Sequence, residues 1–175
     1  MSTALVILTK APEPGQSKTR LVPPLSFEEA AELARALLID QLQNLANFTV
    51  AQLFLAFTPS SSSSFFETLL PHGASCFCQQ GDSLGDRMQH AFEVLFARGF
   101  PRVVLIGSDL PAVPLAVLTD AFASLENNNA VLGPSLDGGY YLVGMNQLIA
   151  DIFAGIIWSQ ANILTLTNRK TQHAQ

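Results

Sequence analysis

Three cations, Lys10, Lys18 and Arg20, stand within eleven positions of one segment, Lys10-Ala11-Pro12-Glu13-Pro14-Gly15-Gln16-Ser17-Lys18-Thr19-Arg20-Leu21. Cationic side chains at that density suit an anion with several oxygens, a phosphate above all. Pro12 and Pro14 stiffen the segment, and Gly15 is free to take a positive φ. Two common phosphate loops are excluded letter by letter. A P-loop would need glycines where Ser17 and Pro12 precede Lys18-Thr19, and the dinucleotide fingerprint needs three glycines where this segment has Gly15 alone. The competing structural reading is a solvated basic loop, since Lys and Arg are mostly exposed in any protein.

Two more segments carry candidate chemistry. Asp109, in Ile106-Gly107-Ser108-Asp109-Leu110-Pro111, follows an apolar run, where an open α/β sheet places ligand-binding residues. A carboxylate there, opposite the cationic loop, could hold a divalent metal bridging the phosphates of a nucleotide; its bland role would be to cap the next turn. Gly81-Asp82-Ser83-Leu84-Gly85-Asp86-Arg87-Met88 puts two glycines and two aspartates at the mouth of a helix, where backbone N–H groups can meet an anion, although Asp82 and Asp86 are also ordinary helix-start residues. Gly133-Pro134-Ser135-Leu136-Asp137-Gly138-Gly139-Tyr140-Tyr141 combines paired glycines with a carboxylate and an aromatic ring, and reads equally as an Asp-Gly hairpin.

The elements that must position these residues alternate strand and helix. Ala4–Thr9 is an unbroken apolar run, as expected of a strand buried on both faces. Ser26-Phe27-Glu28-Glu29 matches a capping box and starts a helix running to about Ala46. Strands are expected near Val50–Phe57, Ser75–Gln79, Arg102–Gly107, Asn129–Pro134 and Tyr140–Gly144. Helices fall between them: a short one ending near Leu70 after a serine turn and cap, one over Leu84–Arg98 closed by Gly99, and one over Pro114–Leu125. The connection Ser135–Gly139 is too short for a helical crossover, so one of the last two strands is expected to run antiparallel.

The 175 residues, 49% hydrophobic, predict one domain over residues 1–175. A net charge of -5 argues against a nucleic-acid partner, which would need a basic face, so any polyanion must be held locally. No apolar stretch reaches the roughly 20 residues of a membrane span, and the N-terminus has no basic leader, which together predict a cytoplasmic protein. Cys76 and Cys78 lack partners for a zinc site and are expected to be buried structural thiols; His72, His90 and His173 form no ligand spacing.

Taken in order, Lys10-Ala11-Pro12 with Gly15 and Lys18-Thr19-Arg20-Leu21, Gly85-Asp86-Arg87-Met88, Ile106–Pro111, Gly133-Pro134-Ser135 with Asp137–Gly144, and Gly155-Ile156-Ile157-Trp158-Ser159 resemble the bacterial domain of unknown function 2064 family. That family is glycosyltransferase-A-like and similar to the molybdenum-cofactor and phospholactate guanylyltransferases. The resemblance implies a three-layer α/β/α nucleotide-diphospho-sugar transferase-like fold with a mostly parallel mixed sheet, and a nucleotide or nucleotide-sugar donor bound with Mg²⁺ or Mn²⁺. It maps Lys18 and Arg20 to phosphate binding, Asp109 to the metal, and Asp137, Gly138 and Gly139 to the acceptor or sugar side; by their own placement Lys10, Gly15, Gly85, Asp86 and Arg87 join the nucleotide and phosphate candidates, and Tyr140 the acceptor side.

One departure stands out against that family pattern. Its members usually continue past the tryptophan to an acidic segment of the D-x-D-T-P-E-D-L type, whereas here Ile163–Gln175 has none, so the domain is expected to be C-terminally short. Three readings of that departure stay open: a truncated chain, recruitment of the missing carboxylate from Asp82, Asp86 or Asp137, or a protein that has lost catalysis and kept binding. The leading expectation is a metal-dependent transferase moving a sugar from a nucleotide-sugar donor to a small acceptor. The alternatives are a nucleotidyltransferase releasing pyrophosphate, a catalytically impaired nucleotide-binding protein, and a domain whose cationic loop meets a protein partner. A sheet edge left without a terminal strand would favour a homodimer.

Overall fold

The computed structural model describes residues 3–156, 158 and 163–173. The first apolar run forms β1, Thr3–Lys10, seven of whose eight residues are buried. It is apolar throughout because both of its faces are covered. Leu5 and Ile7 pack on one side with Leu38 and Leu42 of α1 (Phe27–Leu45), Phe66 of α2 (Ser63–Leu69) and Leu118 of α4 (Leu115–Ser124). Ala4, Val6 and Leu8 pack on the other with Met88, Phe92 and Leu95 of α3 (Leu84–Ala97). The result is the three-layer α/β/α arrangement expected.

The remaining strands are β2 (Ala51–Thr58), β3 (Ser75–Cys78), β4 (Val103–Gly107), β5 (Ala130–Pro134) and β6 (Tyr140–Met145), in the order β3-β2-β1-β4-β6-β5. β1 pairs in parallel with β2 and β4, whereas β6 runs antiparallel to both β4 and β5. Two consequences position the site. The chain leaves β1 for β2 on one side and later returns to β4 on the other, which opens a crevice at the carboxyl ends of β1 and β4. The reversal of β6 brings its first residue, Tyr140, to that same edge.

Ser135–Gly139 is the hairpin that reverses the chain, closed by Ser135 N–H to Gly139 O at 3.0 Å and Gly138 N–H to Ser135 O at 3.2 Å, with Gly138 at φ 84°. A helix over Ile163–His173, α5, was not foreseen in the sequence; its Leu164 N–H donates to Gly138 O at 3.0 Å and ties the hairpin down.

Helix starts follow the sequence closely at α1, where Ser26 N–H donates to Glu29 Oε2 at 2.8 Å and Glu29 N–H to Ser26 Oγ at 3.1 Å. Two expectations need correction. The serine run does not cap α2: Ser60–Ser62 forms a 3-10 turn, Ser62 makes no side-chain cap bond, and Ser63 Oγ donates instead to Glu67 Oε1 at 2.7 Å. Cys76 and Cys78 are free thiols that touch the core but are only half-buried, because β3 is an edge strand. Among the described residues no helix is long and apolar enough to cross a membrane.

Candidate functional site

A cleft of about 590 Å³ opens at the carboxyl edge of the sheet. Of the residues singled out in the sequence, Lys10, Arg20, Arg87, Asp109, Asp137 and Tyr140 line it. Lys18 joins the group from the side through its ion pair with Asp109, Nζ to Oδ1 at 2.7 Å, so four of the chain's nine Lys and Arg residues gather at one edge of an acidic protein.

The cationic loop is shaped by a residue that sequence reasoning passed over. Ser17 is buried; its Oγ donates to Ala11 O at 3.0 Å and accepts from Glu13 N–H at 3.2 Å, folding the loop back on itself. Gly15 takes φ 75°, as expected, and Lys18 takes a left-handed φ of 49°, a conformation that costs a non-glycine residue energy and aims its side chain at β4. The Lys18 side chain is 15% exposed and Asp109 83% exposed, so their pair stabilises the fold by about 1 kcal/mol at most and can be exchanged for a ligand. With the described residues the Lys10 and Arg20 side chains make no hydrogen bond or ion pair, which leaves both heads available.

Behind Asp109, fully buried Gln41 of α1 donates from Nε2 to Gly107 O at 3.1 Å and fixes the end of β4. Ser108 N–H extends the ladder to Leu8 O at 3.1 Å. Across the cleft, Asp137 Oδ1 accepts from the Ser135 hydroxyl and from Gly139 N–H, the latter at 3.2 Å. The Ser135 bond, then the Gly139 bond and, more weakly, the Arg20 charge hold the Asp137 carboxyl below its ordinary value, so it is an anion at neutral pH. Gly138 and Gly139 build this turn and do not line the cleft. Burial pushes the Tyr140 phenol up to about 12, with the neighbouring Thr167 hydroxyl offsetting part of that rise. Tyr140 is therefore neutral, and it offers its ring to the cleft while meeting Trp158 edge-on at 6.4 Å between centroids.

The helix-mouth residues divide. Arg87 lines the cleft and its Nε donates to Gly81 O at 3.0 Å. Asp86 is spent on a capping box, accepting from Ser83 N–H at 2.9 Å, and that backbone bond is the main reason its carboxyl sits below its ordinary value. Gly85 is small for packing, since a Cβ there would come within 2.9 Å of the Trp158 indole. Neither Gly85 nor Asp86 lines the cleft. Of the three aspartates considered for the missing carboxylate, Asp137 is the one that lines it.

No group of three or more His, Cys, Asp or Glu able to hold a metal occurs among the described residues. The cleft offers two carboxylates, Asp109 and Asp137. That set fits a hard ion such as Mg²⁺, which is commonly held by one or two carboxylates with phosphate oxygens completing its shell.

The sheet order, the single reversed strand and the cleft at the β1/β4 crossover together define a nucleotide-diphospho-sugar transferase-like, glycosyltransferase-A-like fold. The chain belongs to the family described as uncharacterized protein conserved in bacteria, domain of unknown function 2064, whose model matches residues 41–160. It is similar to a provisionally assigned nucleotide-diphospho-sugar transferase from Desulfovibrio desulfuricans G20, with 37% identity, TM-score 0.88, and 99% of this chain covering 77% of that one. Its fold is also similar to a cytidylyltransferase from Leptospira borgpetersenii serovar Hardjo-bovis (TM-score 0.67, 11% identity, 99% and 73% covered). A protein of Mycobacterium tuberculosis H37Rv in complex with manganese shares the fold more distantly (TM-score 0.52, 17% identity, 89% and 77% covered). No curated protein matches the chain.

Proposed function

We propose that the cleft binds a nucleotide or nucleotide-sugar with Mg²⁺ or Mn²⁺ and transfers the sugar to a small acceptor. The observation that carries this reading is the convergence of Lys10, Lys18, Arg20 and Arg87 with Asp109 and Asp137 at the carboxyl edge beside the β1/β4 crossover. Lys10, Arg20 and Arg87 neutralise phosphate oxygens, and Lys18 exchanges Asp109 for a phosphate when the donor enters. Asp109 and Asp137 would hold the divalent ion, which when bound supplies Lewis-acid neutralisation of the leaving diphosphate. The hairpin, with the Tyr140 ring beside it, forms the acceptor side.

In this reaction the acceptor oxygen forms a bond to the sugar C1, the C1–O bond to the diphosphate breaks, and the acceptor proton leaves to solvent. The fold shared with a cytidylyltransferase favours a second reading, in which an acceptor phosphate oxygen attacks the α-phosphorus of a nucleoside triphosphate and pyrophosphate departs. The products separate the two: nucleoside diphosphate from a nucleotide-sugar supports the first, pyrophosphate from a triphosphate supports the second. Metal-dependent binding with no product from either donor class marks a catalytically impaired nucleotide-binding protein.

A further inference from the structure

Gln79 lies just past the end of β3 and lines the cleft. Its Nε2 donates to Thr9 O and to Ala56 O, both at 2.7 Å. A primary amide has two N–H donors, and both are spent on carbonyls that can only accept. Turning the amide over would face Oε1 with two carbonyl oxygens, so the orientation is fixed. Oε1 is left over: no described residue donates to it, and it is not among the enclosed polar atoms without a partner. The fold thus leaves one oriented acceptor oxygen unspent on a residue that lines the cleft.

Its surroundings narrow the ligand chemistry. Leu84, 47% exposed, and Met88 line the same cleft from the start of α3. The carboxylates lie on other strands, Asp109 after β4 and Asp137 in the β5–β6 hairpin. A neutral acceptor beside apolar surface repels phosphate oxygens and suits a flat heteroaromatic edge bearing an N–H. We propose that Gln79 reads the nucleobase, accepting a hydrogen bond from a ring or exocyclic N–H; this rests on the nucleotide-binding reading above.

The test begins by measuring wild-type dissociation constants, in Mn²⁺, for the uridine, guanosine, cytidine and adenosine diphosphates. The tightest is then compared with its analogue whose edge N–H is methylated, at N3 of uracil, at N1 and N2 of guanine, or at both amine hydrogens of cytosine or adenine. Methylation is expected to weaken binding to the wild type about tenfold, the size of one hydrogen bond, and to weaken binding to Gln79→Met less than twofold. Equal penalties in the two proteins would overturn the proposal. So would the absence of a penalty in the wild type, a comparison that needs no variant to fold. If none of the nucleotides binds, the nucleotide-binding reading itself fails and this inference falls with it.

Discussion

The two edges of the sheet use polar residues in opposite ways. At the amino edge each group is completed by a neighbour: Arg102 pairs with Glu126 at 2.8 Å and also donates to Phe122 O, while Asn146 Nδ2 donates to Leu125 O and Asn128 O. At the carboxyl edge the Lys10 and Arg20 side chains have no such partners among the described residues, Lys18 is paired with an exposed Asp109, and Gln79 keeps an acceptor unspent. Both edges are finished by loops of the same sheet. The first edge spends its polar groups within the fold, whereas the second leaves several of them without a partner among the described residues, which is the pattern the proposed ligand site needs.

The largest expected effect lies at Asp109. A ligand at 100 times its dissociation constant stabilises by about 2.7 kcal/mol, roughly 5–11 °C in Tm for a protein of this size. Asp109→Asn should lose the metal-dependent part of that shift, with an apo Tm within about 2 °C of wild type because the side chain is exposed. Thermal unfolding with and without Mn²⁺ reads both quantities, and a retained metal dependence would remove Asp109 from the site.

Gly85 sharpens the comparison, since it sits at the ligand edge yet has a packing role. Gly85→Ala should cost about 1–3 kcal/mol as the new methyl displaces the Trp158 indole, and should shift the emission of the chain's one tryptophan. Unchanged stability and emission would contradict that packing. Ser17→Ala should cost about 1 kcal/mol by removing the two hydrogen bonds of the hydroxyl, while Glu13 N–H keeps its bond to Ala11 O, and should also weaken nucleotide binding because the loop carrying Lys18 and Arg20 loses its tie.

A smaller pair of effects would break the comparison directly. Arg102→Ala should lower stability by about 1 kcal/mol in denaturant unfolding and leave nucleotide binding intact, and Arg20→Ala should do the reverse. The smallest effect concerns acid. The folded-state Asp137 carboxyl titrates below its unfolded value, so its contribution is present above the unfolded pKa and is lost as pH falls through the folded one. Ser135→Ala removes the largest cause and should move the Asp137 carboxyl pKa upward in a carbon-detected NMR titration.

Local signals made most of the fold legible. The apolar runs of β1 and β4 announce strands covered on both faces, the Ser26 capping box marks the start of α1, and a five-residue connection demands the antiparallel β6. The Ser83 box was less visible because Asp86, a shorter acid than the usual Glu or Gln, closes it. The site was half legible. Charge density pointed to Lys10 and Arg20, position after a strand to Asp109, and the paired-glycine turn with the family resemblance to Asp137, but the pairing of Lys18 with a residue 91 positions away depends on the sheet order. Ser17, Gln41 and Gln79 had no pattern to show: each is a lone polar residue whose importance comes from the carbonyls that the fold brings to it. Gly85 looked like a ligand residue because small size serves close backbone approach and close packing alike.

The most direct test of the account is thermal unfolding of the wild-type protein with UDP-, GDP-, ADP- and TDP-sugars and the four nucleoside triphosphates, each with and without Mn²⁺. The account predicts that at least one of them raises Tm by roughly 5–11 °C at 100 times its dissociation constant, and that the rise depends on the metal. No shift with any of them would contradict a nucleotide site at this edge of the sheet.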